Sequence, residues 1–176
     1  MANDYLVVVD MQKDFVDGSL GTPEAQAIAD AVAERARTFE GTVVFTRDTH
    51  EENYLETQEG TKLPVVHCVR DTPGWQLVPA LEEVRRERDA VVFDKPTFGS
   101  VALVEWLAIQ NDQQPIDSIE LVGLCTDICV VSNALLIKAH FPELPVRVEA
   151  ALCAGVTPDA HEAALATMRS CQVEVL

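Results

Sequence analysis

The chain has 176 residues, 48% of them hydrophobic, and sets 29 Asp plus Glu against 13 Lys plus Arg for a formal charge of −16. That charge repels nucleic acid, no apolar run approaches the roughly 20 residues a bilayer span needs, and the opening Met-Ala-Asn-Asp lacks the parts of a signal peptide. The expectation is no nucleic-acid or membrane partner and a cytoplasmic location. With no composition shift to mark a linker, residues 1–176 are expected to form one domain, apolar enough to cover a sheet on both faces.

Tyr5–Val9 is a continuous apolar, mostly β-branched run, as expected of a central parallel strand, and Asp10 ends it. The loop that follows, Met-Gln-Lys-Asp-Phe and then Asp17-Gly18, lies over the carboxyl edge of the sheet. Pro23 to Phe39 reads as a helix with Ala25, Ile28, Ala29, Val32 and Ala36 inward, stopped by Gly41. Thr42–Thr46 is a second strand, delivering Arg47-Asp48-Thr49-His50 to the same edge as Asp10. Glu51 to Thr72 has no helical or strand period, and a long structureless loop inside a compact domain is usually functional. Asp48, His50, Glu59 and His67 therefore stand within twenty residues. Asp-x-His puts two side chains on one side of an extended segment and His67 can fold back as a third ligand, so a divalent transition ion is the sharper reading and ordinary polar loop residues the plainer one.

Leu77 to Arg88 reads as a helix with Leu77, Leu81 and Val84 inward, and Ala90–Asp94 as a third strand. Lys95 follows at its buried end and calls for a carboxylate, for which Asp10 is the candidate if their strands are neighbours. Ser100 caps a helix running to Gln110, and Asn111–Asp117 is a polar turn.

Ile119 to Val122 is a fourth strand, broken by Gly123, after which Thr126 or Asp127 supplies a cap for a helix carrying Val130, Ala134, Leu135 and Lys138. Cys129 then sits in the first helical turn at the carboxyl end of a parallel strand. Free N–H groups and the helix dipole there favour a thiolate, the alternative being an inert buried thiol. The chain closes with a strand at Val146–Val148, a helix from Pro158 to Arg169 and an edge strand at Val173–Leu176. Alternating strands and helices imply an α/β three-layer sandwich, a six-stranded and mostly parallel sheet with helices on both faces. Cysteines 68, 125, 129, 153 and 171 are odd in number and lack zinc-ribbon or disulfide spacings, so reduced thiols are expected; a redox pair of Cys125 and Cys129 would lack the two-residue spacing of thioredoxin-type centres.

Val-Val-Asp-Met-Gln-x-Asp-Phe at 8–15, Asp-x-His at 48–50, His67, Lys95 with Phe98, and Gly-Leu-Cys-Thr-Asp-Ile-Cys-Val at 123–130 together resemble the isochorismatase-like cysteine hydrolases, and within them the nicotinamidase-related amidases. The resemblance implies a catalytic triad of Asp10, Lys95 and Cys129, and a cis peptide at Leu124–Cys125 that turns the amides of Cys125 and Cys129 into an oxyanion hole. It further implies a metal held by Asp48, His50, His67 and Glu59, with zinc first and iron or manganese as alternatives, and a pocket walled by Phe15 and Phe98. The implied reaction cleaves a small carboxamide, nicotinamide or a relative, to acid and ammonia through a cysteine thioester. One departure stands out: where that family carries a tryptophan shortly before the second metal histidine, this chain has Pro64-Val65-Val66. The rival readings are an isochorismatase-type hydrolase, which would leave Asp48, His50 and His67 idle, and a non-catalytic partner or ligand-binding module, which would not need all three triad residues. Association into a homo-oligomer is open on fold analogy alone.

Overall fold

The computed structural model describes residues 2–176; Met1, the first residue of the opening segment, lies outside them. Six strands, β1 (Asp4–Val9), β2 (Thr42–Asp48), β3 (Val92–Lys95), β4 (Ser118–Leu124), β5 (Val146–Ala154) and β6 (Glu174–Val175), form one sheet in the order β3-β2-β1-β4-β5-β6. Every neighbouring pair is parallel. The helices are α1 (Lys13–Val16), α2 (Pro23–Thr38), α3 (Gln58–Lys62), α4 (Pro79–Glu87), α5 (Val101–Gln113), α6 (Val131–His140) and α7 (Pro158–Ser170).

Period-two alternation along the strands builds two cores. Leu6, Val8, Val43 and Phe45 face Val32, Ala36, Leu81 and Val84 of α2 and α4. Tyr5, Val7, Val9 and Leu121 face Leu103, Leu107, Ile137, Leu165 and Met168 of α5, α6 and α7. Each of these large side chains contributes about 1.5–3 kcal/mol on burial. Glu120, in the middle of β4, is buried too, and the Arg35 guanidinium of α2 satisfies it with a two-pronged pair at 2.8 and 2.6 Å.

The chain proceeds outward from β1 to β3 on one side and from β4 to β6 on the other. A parallel sheet wound in this order opens a crevice at the carboxyl ends of β1 and β4, where open α/β sheets take their ligands.

Several boundaries differ from expectation for local reasons. Gly123 does not break β4: the strand runs through it to Leu124, with Gly123 at φ +115° where the pairing with β5 shifts register. A Cβ at this position would lie 2.2 Å from the Val9 carbonyl oxygen, so the close approach to β1 requires glycine. Neither Thr126 nor Asp127 caps a helix. Thr126–Val130 forms a π-helical turn leading into α6, closed by Ile128 N and Val130 N donating to the Cys125 carbonyl at 3.1 and 3.0 Å. The segment 51–72 is not structureless. It holds a 3₁₀ turn at Tyr54–Glu56, α3 capped by the Thr57 hydroxyl, and a bridge between His50 and Val69, elements too short to carry a readable period. The polar 111–117 stretch is partly helical, because α5 continues to Gln113. Strand β5 extends to Ala154, well past Val148.

Candidate active site

The carboxyl edges of four strands bring the predicted residues together. Asp10 follows β1 directly and is held at φ +46°, a left-handed conformation that costs a non-glycine residue about 1–3 kcal/mol. Its carboxylate accepts from the Thr46 hydroxyl at 2.7 Å and lies 2.7 Å from Lys95 Nζ at the end of β3. Strand β2 separates β1 from β3, so Asp10 and Lys95 are not on neighbouring strands as expected; the four-carbon lysine stem spans the intervening edge. From there Nζ also reaches Cys129 Sγ at 3.3 Å and Asp48 Oδ1 at 3.4 Å. Asp10, Lys95 and Cys129 are all buried.

Their electrostatics follow from burial around a single ammonium. Burial disfavours the Lys95 charge, but Asp10, Cys129 and Asp48 outweigh it and hold the proton on. Burial pushes the Asp10 carboxyl up despite the attraction of Lys95, and Asp48 pushes in the same direction. Burial and the adjacent Asp10 carboxylate likewise raise the Cys129 thiol well above its ordinary range, with Lys95 offsetting part of the rise. Burial and Asp10 thus work against the thiolate that the helix start favours, and Lys95 works for it.

Beside this cluster, one ligand atom from each of Asp48, His50, Glu59 and His67 lies within 4.8 Å of the others. Two features fit these residues to a cation. His67 Nδ1 is 2.8 Å from the Val65 carbonyl, which can only accept, so Nδ1 carries the hydrogen and the neutral ring presents its Nε2 lone pair to the cluster. Buried His50 Nε2 has no aligned hydrogen-bond partner, although Asp48 Oδ2 is 2.9 Å away, as for two ligand atoms converging on a shared point. Burial opposes ionisation of Asp48, but His50, His67 and Lys95 outweigh it and hold this carboxyl well below its usual range. Burial and the Asp48 charge push Glu59 up, a repulsion that a divalent cation between the two carboxylates relieves. Glu59 Oε1 is 3.7 Å from His50 and 3.8 Å from His67, so α3 brings the fourth predicted ligand to the other three.

Both groups border a pocket of about 320 Å³ lined by Phe15, Phe98, Asp48, Glu59, His67 and Cys129. Phe15 also packs on the His67 ring, with centroids 5.5 Å apart. Leu20, Leu63 and Ile128 add to its apolar wall. Of the segment before His67, Val65 contributes the carbonyl that fixes the imidazole, while Val66 is half exposed and takes no part in the wall. Leu124–Cys125 is cis, as the resemblance implies.

A family model described as the isochorismatase domain matches residues 4–176. The chain belongs to the isochorismatase family. The nicotinamidase/pyrazinamidase of Mycobacterium tuberculosis is 32% identical over 191 residues, spanning 97% of each chain. The solved pyrazinamidase of Pyrococcus horikoshii in complex with zinc has a TM-score of 0.82 and 30% identity, covering 99% of this chain and 98% of that one. For nicotinamidase/pyrazinamidase from Bacillus subtilis the values are 0.83 and 25%, over 98% of both chains.

Around this isochorismatase-family site stand positioning residues that sequence reasoning missed. Buried Gln12 accepts from Asp48 N at 2.7 Å and donates to the carbonyls of Asp48 and Trp75 at 2.8 and 2.9 Å, fixing the backbone beneath the Asp48 carboxylate. Tyr54, fully buried, packs its ring on His50 and His67 at 4.6 and 5.0 Å and donates its hydroxyl to the Leu63 carbonyl. Asn133 donates to the carbonyls of Cys129 and Phe98 and accepts from Ser100 N, joining the cysteine turn to the loop after Lys95. Gln12 lies inside the 8–15 motif, and that membership is its only signal; Tyr54 offers none, since its role depends on how the 51–72 segment folds.

Proposed function

We propose that the chain is an amidohydrolase that cleaves nicotinamide or a related flat primary carboxamide to the acid and ammonia, with Cys129 as nucleophile, Asp10 as acid and base, and Lys95 as their charge partner. The observation that carries this is the Lys95 ammonium 2.7 Å from Asp10 and 3.3 Å from Cys129 Sγ, with Cys129 lining a pocket that Phe15 and Phe98 also line. The Mycobacterium and Pyrococcus relatives support it.

Asp10 takes the Cys129 proton while Lys95 holds the forming thiolate, and sulfur attacks the amide carbonyl carbon. The resulting oxyanion is received by the amides of Cys125 and Cys129. Asp10 returns its proton to the nitrogen, the C–N bond breaks, ammonia leaves and a thioester remains. Water then attacks with Asp10 as base, the C–S bond breaks and the thiol is restored with the acid product. Phe15 and Phe98 hold the planar acyl group throughout.

Asp48, His50, His67 and Glu59 would hold the metal. Two imidazoles with two carboxylates suit zinc, and also iron or manganese; the Pyrococcus neighbour, in complex with zinc, favours zinc. A bound ion supplies a Lewis-acidic point for an aromatic nitrogen or a water beside the acyl group. The donors' own part is to keep lone pairs pointed inward, which His67 does through Val65. His50→Ala is expected to lower metal content, measured by elemental analysis, and activity together; full activity at low metal content would contradict the ligand assignment.

Ammonia release from nicotinamide, pyrazinamide and small aliphatic amides tests the reaction. Turnover of the flat aromatic amides is expected, and no ammonia from any of them would overturn the proposal. An isochorismatase-type reaction gives the cation-ready cluster no task, and a non-catalytic module gives none to the buried Asp10, Lys95 and Cys129.

A further inference from the structure

The cysteine turn is tied on one side by Asn133, and on the other it meets the start of α7, an element that carries none of the residues assigned above. Thr126, fully buried and next in sequence to Cys125, shares a 2.8 Å hydrogen bond between its hydroxyl and Nδ1 of His161. Asp127 accepts from Val156 N at 2.9 Å. Between these two ties Gly155 lets the segments touch: a Cβ there would lie 2.8 Å from Asp127 Oδ1 and 2.9 Å from His161 N. Thr157 caps α7 by accepting from Ala160 N at 3.1 Å, which anchors the helix that carries His161. Gly155 and Val156 also line the pocket, so this junction is continuous with the site.

We propose that His161 is a positioning residue: its hydrogen bond to Thr126 fixes the 125–129 turn so that the Cys125 amide and Cys129 Sγ keep the separation that attack and oxyanion binding require. The proposal rests on the amidase reading above. The physical reason is geometric. The π turn is closed internally by the Cys125 carbonyl, which sets its shape but not its placement over the sheet edge. Side-chain ties to a packed helix set the placement. The His161 side chain is neither a donor of the metal cluster nor part of the pocket lining, so its loss leaves substrate contacts in place and misaligns the reacting groups.

The test is a mutant cycle on ammonia release, with KM and metal content measured alongside. His161→Ala is expected to lower kcat about 10- to 100-fold, the scale of a sub-ångström to 1 Å misplacement, with KM within about threefold and metal content unchanged. His161→Asn, whose amide group can occupy the place of Nδ1, restores most of kcat. Thr126→Val removes the same bond from the other side at nearly constant volume. The double variant Thr126→Val/His161→Ala then falls no further than either single one, within about threefold, because one interaction is lost once. Native kcat in His161→Ala, or losses that multiply in the double variant, would overturn the clamp while leaving the amidase reading intact. A native chain releasing no ammonia would overturn both.

Discussion

Replacing Cys129 with alanine is expected to lower ammonia release from nicotinamide by at least about 10³-fold, the scale on which a covalent route closes when its nucleophile is removed. The substitution deletes one buried sulfur and touches no metal donor, so the variant should fold and bind metal as the native chain does. That combination separates it from His50→Ala, where metal and activity fall together. If Cys129→Ala kept native turnover, Cys129 would not be the nucleophile and the thioester route would fail with it.

Lys95→Met is expected to damage both activity and stability. The methionine fills much of the lysine volume but leaves Asp10, fully buried, without its cationic partner, and Asp48 loses a neighbour as well. Removing one member of a buried pair costs about 3–5 kcal/mol, measurable by urea unfolding. The pH dependence of that loss has a definite sign. Burial already raises the Asp10 carboxyl in the folded chain, and without Lys95 it rises further. Below the carboxyl's unfolded value, about 4, both states hold the proton and the deficit is small. As pH rises, the unfolded chain ionises freely while the folded chain resists, so the deficit grows until pH passes the folded value. A deficit that shrinks toward neutral pH would contradict the assigned pairing. Activity should fall by at least about 10³-fold, since neither the thiolate nor the returning carboxylate is balanced.

The fold was legible because its strands and helices are long enough to show their period. Tyr5–Val9 and the amphipathic run from Pro23 announced a buried parallel strand and a covering helix, and both are present. The meeting of the candidate residues was legible at strand ends: Asp10 stops an apolar run, Asp48 and Lys95 follow Thr46 and Phe93 by two residues, and parallel topology sends all three to one rim. Short-range geometry was not. A π turn and an α-helix start look alike in sequence, so Thr126 and Asp127 read as caps when their side chains in fact reach across to His161 of α7 and to Val156 in the loop before it. The surroundings of Cys129 were hidden for a related reason: the dipole argument is local, whereas burial, Asp10 and Lys95 come from the assembled fold. Tyr54 and Leu63 belong to a segment whose path over the sheet edge is set by packing on His50 and His67 and not by any period of its own.

The central claim is that Cys129 carries the acyl group between amide and acid. Hydroxylamine added to a turnover of nicotinamide tests it, because a thioester is open to that nucleophile. The account predicts nicotinohydroxamate formed at the expense of nicotinate by the native chain, and neither product from Cys129→Ala. Hydroxamate or acid appearing at the native rate from Cys129→Ala would contradict it.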